Sequence, residues 1–399
     1  MKKNILISVY NMEIGGIERS LINMLENFNF DQYNVDLLIF HHTGDLLNLI
    51  PKQVNILPQI GELSVFRKPI SQCIREGYYL FSLLRVISKY AAKIRGSFKH
   101  LNEGSGYIQM QLILKYASYF IPVLEKAYDV AISFSWPHDI LANKVKARKK
   151  IAWIHTDYSK LEIDNQLDLS IWNKFDYIAS VSDTCKDSFL CKYPNLKDKV
   201  IVVENITSPS FIKKMAKEES PFHKSRDQIF HIVSVGRLSF VKGYDLAVEA
   251  LKVLHERGLT NIKWYIIGYG GFENELKELI AKNNLKDHFI LLGKKTNPYP
   301  YINECDLYVQ PSRYEGKAVT VTEAKILGKP IIITNYPTAK SQIDHGVEGV
   351  ICELNVQGLA NEIEKFYHNR DLKEKLIHNL KGKDFNNHDE LEKLYKIIS

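Results

Sequence analysis

The sequence predicts an α/β protein with two parallel sheets, one in each of two domains. Three observations carry this. Short apolar runs without polar alternation recur along the whole chain, as strands covered on both faces require. Stretches with helical spacing separate these runs, so strands and helices alternate. The chain has 399 residues, more than one hydrophobic core usually organises.

The elements follow in order. In the first half the strand runs are 5–9, 35–40, 54–57, 130–134, 151–154, 177–181 and 200–203. Gly15 and Gly16 follow the first run and precede a helical pattern through Ile17, Leu21, Met24 and Leu25. In the second half the runs are 232–235, 264–267, 289–292, 307–309, 331–333 and 350–352. Between the halves stand Ser208-Pro209 and a polar stretch, 213–226, that contains Pro221. Its composition is that of a linker. The predicted division is therefore a first domain over 1–207, a linker over 208–226 and a second domain over 227–385. Near the C-terminus Leu391, Leu394, Tyr395, Ile397 and Ile398 form one apolar helical face. There is no internal repeat and no low-complexity tract.

Composition excludes several classes. Hydrophobic residues make up 45% and charged residues 25%, which is ordinary for a globular protein. A formal charge of +7 points to acidic substrates or an anionic surface rather than a dedicated nucleic-acid binder. The five cysteines, Cys73, Cys185, Cys191, Cys305 and Cys352, are odd in number and contain no C-x-x-C pair. They predict reduced thiols in a cytoplasmic protein, not a disulfide framework or a zinc site. Lys2-Lys3 precede an apolar run too short for a signal peptide, and Asn11 and Glu13 end it. No stretch approaches 18 uninterrupted apolar residues, so no transmembrane helix is expected.

The most informative segment runs from Pro311 to Ala324 and holds Glu315 and Glu323. It follows the run 307–309. Glu315 is expected in the loop at the strand's C-terminal end and Glu323 about two turns into a helix. Ligands of a doubly wound sheet bind at that edge. At helical rise the two carboxylates would stand about 12 Å apart. Each could hold a different part of one extended, hydroxyl-rich ligand, such as a nucleotide sugar. This Glu-x7-Glu segment, with Gly316 after the first Glu, resembles the donor-site signature of the retaining glycosyltransferases of family 4, the group 1 glycosyltransferases. The rest of that pattern is present in order: Gly15-Gly16 followed by Glu18, then Val235-Gly236-Arg237-Leu238 followed by Lys242-Gly243. Two glutamates at this spacing alone would be a weak signal; the ordered set covers nearly the whole chain. The resemblance implies a GT-B fold, two Rossmann-like domains facing across a cleft. The N-terminal domain would bind the acceptor and the C-terminal one the donor, with a last helix, 386–399, returning to the N-terminal domain.

The residues then take roles. Arg237 and Lys242 follow a strand and a glycine. A planar guanidinium fork and a mobile ammonium suit a diphosphate, and cations fixed there stabilise a departing nucleoside diphosphate. The family gives the matching pair this role; a solvated surface pair is the alternative. Gly15 and Gly16 would let backbone N–H groups approach an anion, or form a tight turn without a ligand. His155 ends the run 151–154. The resemblance places it near the transferring sugar, although His-Thr-Asp here departs by one residue from the family's His-Asp; a structural histidine is the alternative. The N–H groups of Gly316, Lys317, Ala318 and Val319 lie at an expected helix start, suited to phosphate or sugar oxygens. Lys-Ala-Val replaces the Phe-Pro-Leu common in the family, which implies a different donor sugar. Gly268-Tyr269-Gly270-Gly271 matches a family turn, with Tyr269 where an acid is frequent. Lys294 stands where the base often binds, and Thr338-Ala339-Lys340 replaces a common Gly-Gly stretch. The resemblance assigns Glu315 to hexose hydroxyls and Glu323 to the ribose.

No D-x-D occurs in the chain, so the leaving diphosphate is expected to be neutralised by protein groups, with no metal and no cofactor. The expected activity is retaining transfer of a hexose from a nucleotide diphosphate sugar, a UDP-sugar first among them, to an acceptor hydroxyl. The family's mechanism is front-face, with the donor phosphate oxygen taking the acceptor proton. By analogy the acceptor is a lipid-linked saccharide of bacterial surface polysaccharide synthesis. The alternatives are a nucleotide-sugar epimerase or a non-catalytic nucleotide-sugar-binding protein of the same fold. Residues 66–100 hold Arg67, Lys68, Arg75, Arg85, Lys89, Lys93, Arg95 and Lys99 against a single acid, Glu76, among many aromatic and aliphatic residues. That pattern predicts docking on an anionic membrane surface, hence a cytoplasmic protein peripheral to the inner face of the cell membrane. Helices that bury the apolar residues and leave the charges solvated are the alternative.

Overall fold

The structure is a computed structural model and describes residues 2–97, 105–218 and 229–399. The described chain forms two compact units. One comprises Met1–Glu13, Met24–Asn205 and His388–Ser399; the other comprises Ile14–Asn23 and Ile206–Asn387.

The first unit holds a parallel sheet of seven strands. They are β1 (Lys3–Val9), β2 (Tyr33–Ile39), β3 (Asn55–Ile56), β4 (Ala127–Ser133), β5 (Lys146–Ile154), β6 (Tyr177–Ser180) and β7 (Val200–Val202), in the order β3-β2-β1-β4-β5-β6-β7. The second unit holds six parallel strands: β8 (Phe230–Val235), β9 (Ile262–Ile267), β10 (Phe289–Gly293), β11 (Leu307–Gln310), β12 (Ile331–Thr334) and β13 (Val350–Cys352). Their order is β10-β9-β8-β11-β12-β13. Every predicted run is a strand. Unbroken hydrophobicity located them because helices cover both sheet faces and bury both side-chain rows. Each sheet runs outward in one direction from its first strand and then in the other. A switch point therefore lies between β1 and β4, and another between β8 and β11.

The second sheet has a core on each face. One packs Trp264, Ile266 and Phe289 against Leu251, Leu254 and Phe366. The other packs Val233, Tyr308 and Ile333 against Ile302, Val321 and Ala324. This second core also contains Ile212 and Ala216. The stretch read as linker is thus partly a helix, Pro209–Met215. Pro209 at its first position suits a helix start, and Ile212, fully buried, ties it to the second unit. Pro221 and residues 219–228 lie outside the described residues. The helix His388–Ile398 belongs to the first unit. Its Leu391, Leu394 and Ile398 are buried, and Tyr395 stacks on Tyr33 at 5.3 Å between ring centroids.

Two glycines close the second sheet's C-terminal edge. Gly243 has φ +67°, and a Cβ there would lie 1.9 Å from the Pro311 carbonyl oxygen. Gly268 has φ +156°, and its Cβ would lie 1.9 Å from the Gly236 carbonyl oxygen. Only a residue without a side chain lets these loops touch. The loops after β8, β9 and β11 are held together by backbone approach.

Among the described residues no helix is long and apolar enough to cross a membrane.

Candidate active site

The second unit's switch point gathers the predicted donor residues. Gly236 and Arg237 follow β8, and the loop 311–318 follows β11, the neighbouring strand. A short 3₁₀ turn, Phe240–Lys242, ends at Gly243 in the left-handed conformation. It brings the Lys242 ammonium to 2.6 Å from Glu315 Oε1. The sequence placed these two groups on different parts of a ligand; the structure joins them in an ion pair. Gln310 Nε2 (3.0 Å) and Ser312 Oγ (2.6 Å) donate to the same oxygen. Three donors fix one carboxylate oxygen, while Glu315 Oε2 has no hydrogen bond among the described residues. Glu315 is 8% exposed. A carboxylate this buried needs such partners to remain charged. Thr338 Oγ1 donates to the Glu315 carbonyl at 2.9 Å, so the Thr-Ala-Lys departure supplies a bond that glycine could not.

The loop itself is clamped. The Arg313 guanidinium makes a bidentate pair with Asp245, at 2.7 and 2.5 Å. It also lies 3.9 Å over the Phe240 ring. The loop after β11 is thereby tied to the turn that carries Lys242. Arg237 is exposed, and no hydrogen bond or ion pair engages its guanidinium among the described residues.

Glu323 departs from expectation. The helix is Val319–Ile326, and Ala318 caps it without a side-chain bond. Residues 315–318 are not helical, so Glu323 lies just over one turn in, and the spacing computed from helical rise does not apply. Its side chain is fully buried. Oε1 accepts from the Tyr299 hydroxyl at 2.8 Å and lies 3.6 Å from Arg19 Nη1. Oε2 is buried without a partner. The sequence missed Tyr299 and Arg19. Tyr299 gave no signal. Arg19 did, as a cation one helical turn beyond the glycine pair, on a segment that clusters with the second unit.

The remaining expected residues are placed as follows. The Val319 and Thr320 N–H groups open the helix, with Gly316, Lys317 and Ala318 in the preceding loop. Lys294 follows β10, and its ammonium lies 5.3 Å over the Tyr269 ring. Tyr269 thus gives that cation an aromatic seat in place of the family's acid. Gly15 precedes the helix Gly16–Glu26. A Cβ at Gly16 would meet nothing within 4 Å, so local packing does not demand glycine there.

His155 lies in the first unit, one residue beyond β5. Its Nε2–H donates to the Phe134 carbonyl at 2.8 Å, and the ring stacks on Trp153. Burial pulls its pKa down to about 4, with the hydrogen bond opposing. The imidazole is therefore neutral at physiological pH, with Nδ1 as its acceptor.

No group of three or more His, Cys, Asp or Glu of metal-binding geometry occurs among the described residues.

Known proteins resemble the chain in sequence and in fold. Residues 215–383 match the family model of glycosyl transferases group 1. A capsular polysaccharide biosynthesis glycosyltransferase of Staphylococcus aureus, CapM, is 26% identical over 211 residues, 51% of this chain and 55% of that protein. A Campylobacter jejuni N-acetylgalactosaminyltransferase acting on a diphospho-undecaprenol-linked saccharide is 30% identical over 139 residues, 33% of this chain and 37% of that protein. The chain thus spans little more than half of these relatives' lengths at most. In fold it is similar to HepE from Anabaena, crystallised with UDP-glucose. The TM-score is 0.67 at 17% identity, covering 99% of this chain and 100% of that one. Two all-parallel sheets of this order, with structural neighbours of this kind, constitute the GT-B fold. Over residues 215–383 the chain is similar in sequence to the group 1 glycosyltransferases.

Proposed function

We propose that this chain is a retaining hexosyltransferase. It takes a hexose from a nucleotide diphosphate sugar, a UDP-sugar first among them, and passes it to an acceptor hydroxyl on a lipid-linked saccharide of bacterial surface polysaccharide synthesis. The Lys242–Glu315 pair at the second sheet's switch point carries the reading. It sets a cation and a carboxylate with one uncommitted oxygen side by side, beside the unengaged Arg237.

In this reading Arg237 and Lys242 take the diphosphate as the sugar–phosphate bond breaks, and no metal is required. The N–H groups at Gly316–Val319 and the Gly15–Gly16 turn assist. Glu315 Oε2 receives a hexose hydroxyl, Glu323 the ribose, and Lys294 lies beside the base. The acceptor hydroxyl attacks the anomeric carbon on the face the diphosphate leaves, and its proton passes to the departing phosphate oxygen. His155, neutral, accepts a sugar hydroxyl through Nδ1.

The partner surface in this reading is an anionic membrane, met from the cytoplasmic side through residues 66–100. On the helix Tyr79–Ser97 the residues Tyr79, Leu83, Ile87, Tyr90 and Ile94 are all exposed by half or more. Neither this helix nor Gly106–Ala117 carries an acid, whereas Arg85, Lys89, Lys93, Arg95 and Lys115 lie on them.

A thermal-shift panel of UDP- and GDP-sugars, followed by nucleoside diphosphate release with and without lipid-linked saccharides, tests the function. Acceptor-dependent release supports it. Conversion of the donor without acceptor would make the chain an epimerase, and a shift without turnover a binding protein.

A further inference from the structure

Arg19 and Glu323 leave an unusual deficit. Arg19 is 6% exposed and Glu323 is fully buried. Their contact, 3.6 Å from Nη1 to Oε1, is an ion pair without a hydrogen bond. Nη1 has no hydrogen-bond partner, and neither has Oε2. A buried donor and a buried acceptor on neighbouring groups are thus both unsatisfied, which folded proteins rarely tolerate. Arg19 is otherwise loosely held. Nη2 donates to the Thr296 carbonyl at 3.3 Å, and the guanidinium lies 5.4 Å from the Tyr299 ring centroid. The Tyr299 hydroxyl, by contrast, fixes Glu323 Oε1 at 2.8 Å.

One chemical group completes both ends. A hydroxyl accepts from a guanidinium N–H and donates to a carboxylate oxygen at once. We propose that Arg19 is a specificity-determining residue of the donor site, closing with Glu323 on one ribose hydroxyl of the nucleotide. The inference rests on the donor-site reading above and adds to it a residue that the glutamate signature does not contain. In the structure Arg19 lies against Glu323, with Nη1 3.6 Å from Oε1. With nucleotide, its guanidinium moves off Oε1, admits the hydroxyl and closes over it. The weak hold by Thr296 makes that movement inexpensive, and the firm hold by Tyr299 keeps Glu323 in place.

The test is titration calorimetry with UDP and GDP, each with its 2′-deoxy and 3′-deoxy analogues. The proteins are wild type, Arg19→Met and Arg19→Lys. Wild type should prefer the parent nucleotide to one deoxy analogue by about tenfold or more, as loss of a hydrogen bond to a charged group implies. Arg19→Met should still bind but lower that ratio severalfold, leaving the part that Glu323 supplies. Arg19→Lys, with a charge but no planar fork, should fall between and serves if the methionine variant does not fold. A purely structural Arg19 would weaken all nucleotides alike, and an unchanged ratio in the folded variants overturns the proposal. Equal wild-type binding of parent and both analogues also overturns it, together with the ribose role of Glu323, while nucleotide binding at the donor site stands. Wild type that binds neither UDP nor GDP would overturn that reading, and this inference with it.

Discussion

At the scale of single residues, the site depends on approach distances as much as on charge. Gly243→Ala must accommodate φ +67° and a Cβ 1.9 Å from the Pro311 carbonyl oxygen. We expect a loss of about 2–4 kcal/mol, read as a lower midpoint in urea unfolding. An alanine variant as stable as wild type would show that the loop relaxes freely. Lys242→Ala should cut kcat by about a hundredfold or more through the lost cation, with turnover of wild type unaffected by EDTA. Activity lost in EDTA and regained with Mn²⁺ would contradict the role given to Arg237 and Lys242. The charged residues of this site were legible because their spacing is fixed by the chain. What joins them was not. Gln310 and Ser312 acquire meaning only when the loop turns Glu315 back over them, and Tyr299 reaches Glu323 from 24 residues away. The 12 Å separation was reckoned from helical rise, which does not apply because residues 315–318 form a loop, a local conformation that composition does not announce.

At the scale of elements, the strands were legible and the surface helices less so. Covered strands advertise themselves by continuous hydrophobicity, whereas the segment 66–100 mixes signals. The structure sorts them. Arg67 lies over the Tyr10 ring. Lys68 pairs with Glu76 and Arg95 with Asp164. Arg85 turns inward to the Val65 and Lys68 carbonyls. Lys99 lies outside the described residues. Arg75 Nε donates to the Ser71 carbonyl as well, so most of the described cations are engaged, while several large apolar residues are left outside. The helix Tyr79–Ser97 buries Phe81, Ser82, Ser88 and Ala92 and exposes Tyr79, Leu83, Ile87, Tyr90 and Ile94. Its outward face is more apolar than its inward one, so docking should depend on aromatic and aliphatic insertion more than the charge count implies. In vesicle co-sedimentation, Ile87→Glu with Tyr90→Glu should abolish binding to anionic liposomes without lowering the melting temperature. Lys89→Glu with Lys93→Glu should weaken binding in a salt-sensitive way, by about 1 kcal/mol per charge. Equal partition to neutral and anionic vesicles, or to neither, would remove the membrane from the proposal.

At the scale of the whole molecule, stability should depend on pH through the first unit's interior. Asp139 opens the helix Asp139–Lys144. Burial, with Asp168 adding repulsion, raises its pKa to about 7. Asp168, bonded to Trp172 Nε1 and Tyr193 Oη at 2.8 Å each, is raised to about 6, chiefly by burial. A carboxyl whose folded pKa lies above its unfolded value binds its proton more tightly in the native state. The stability it gives is complete below about pH 4 and is lost as pH climbs towards 7. Asp139→Asn cannot ionise, so its stability relative to wild type should improve by about 3–4 kcal/mol between pH 4 and pH 7.5 and level off above. A stability difference independent of pH would show that Asp139 does not titrate in this range.

The helix His388–Ile398 has a consequence for how the protein is made. It completes the core of the first unit, with Tyr395 against Phe28 and Tyr33 and the Glu390 carboxylate receiving the Glu204 N–H. Roughly 180 residues of the second unit are translated before it. At ordinary ribosomal pace that is an interval of about 10–40 s. During it Phe28, Tyr33 and their neighbours lack their cover, while the second unit emerges and closes its own sheet. The part of the chain synthesised first is therefore finished last. A stalled or prematurely released nascent chain would present an open aromatic patch to chaperones.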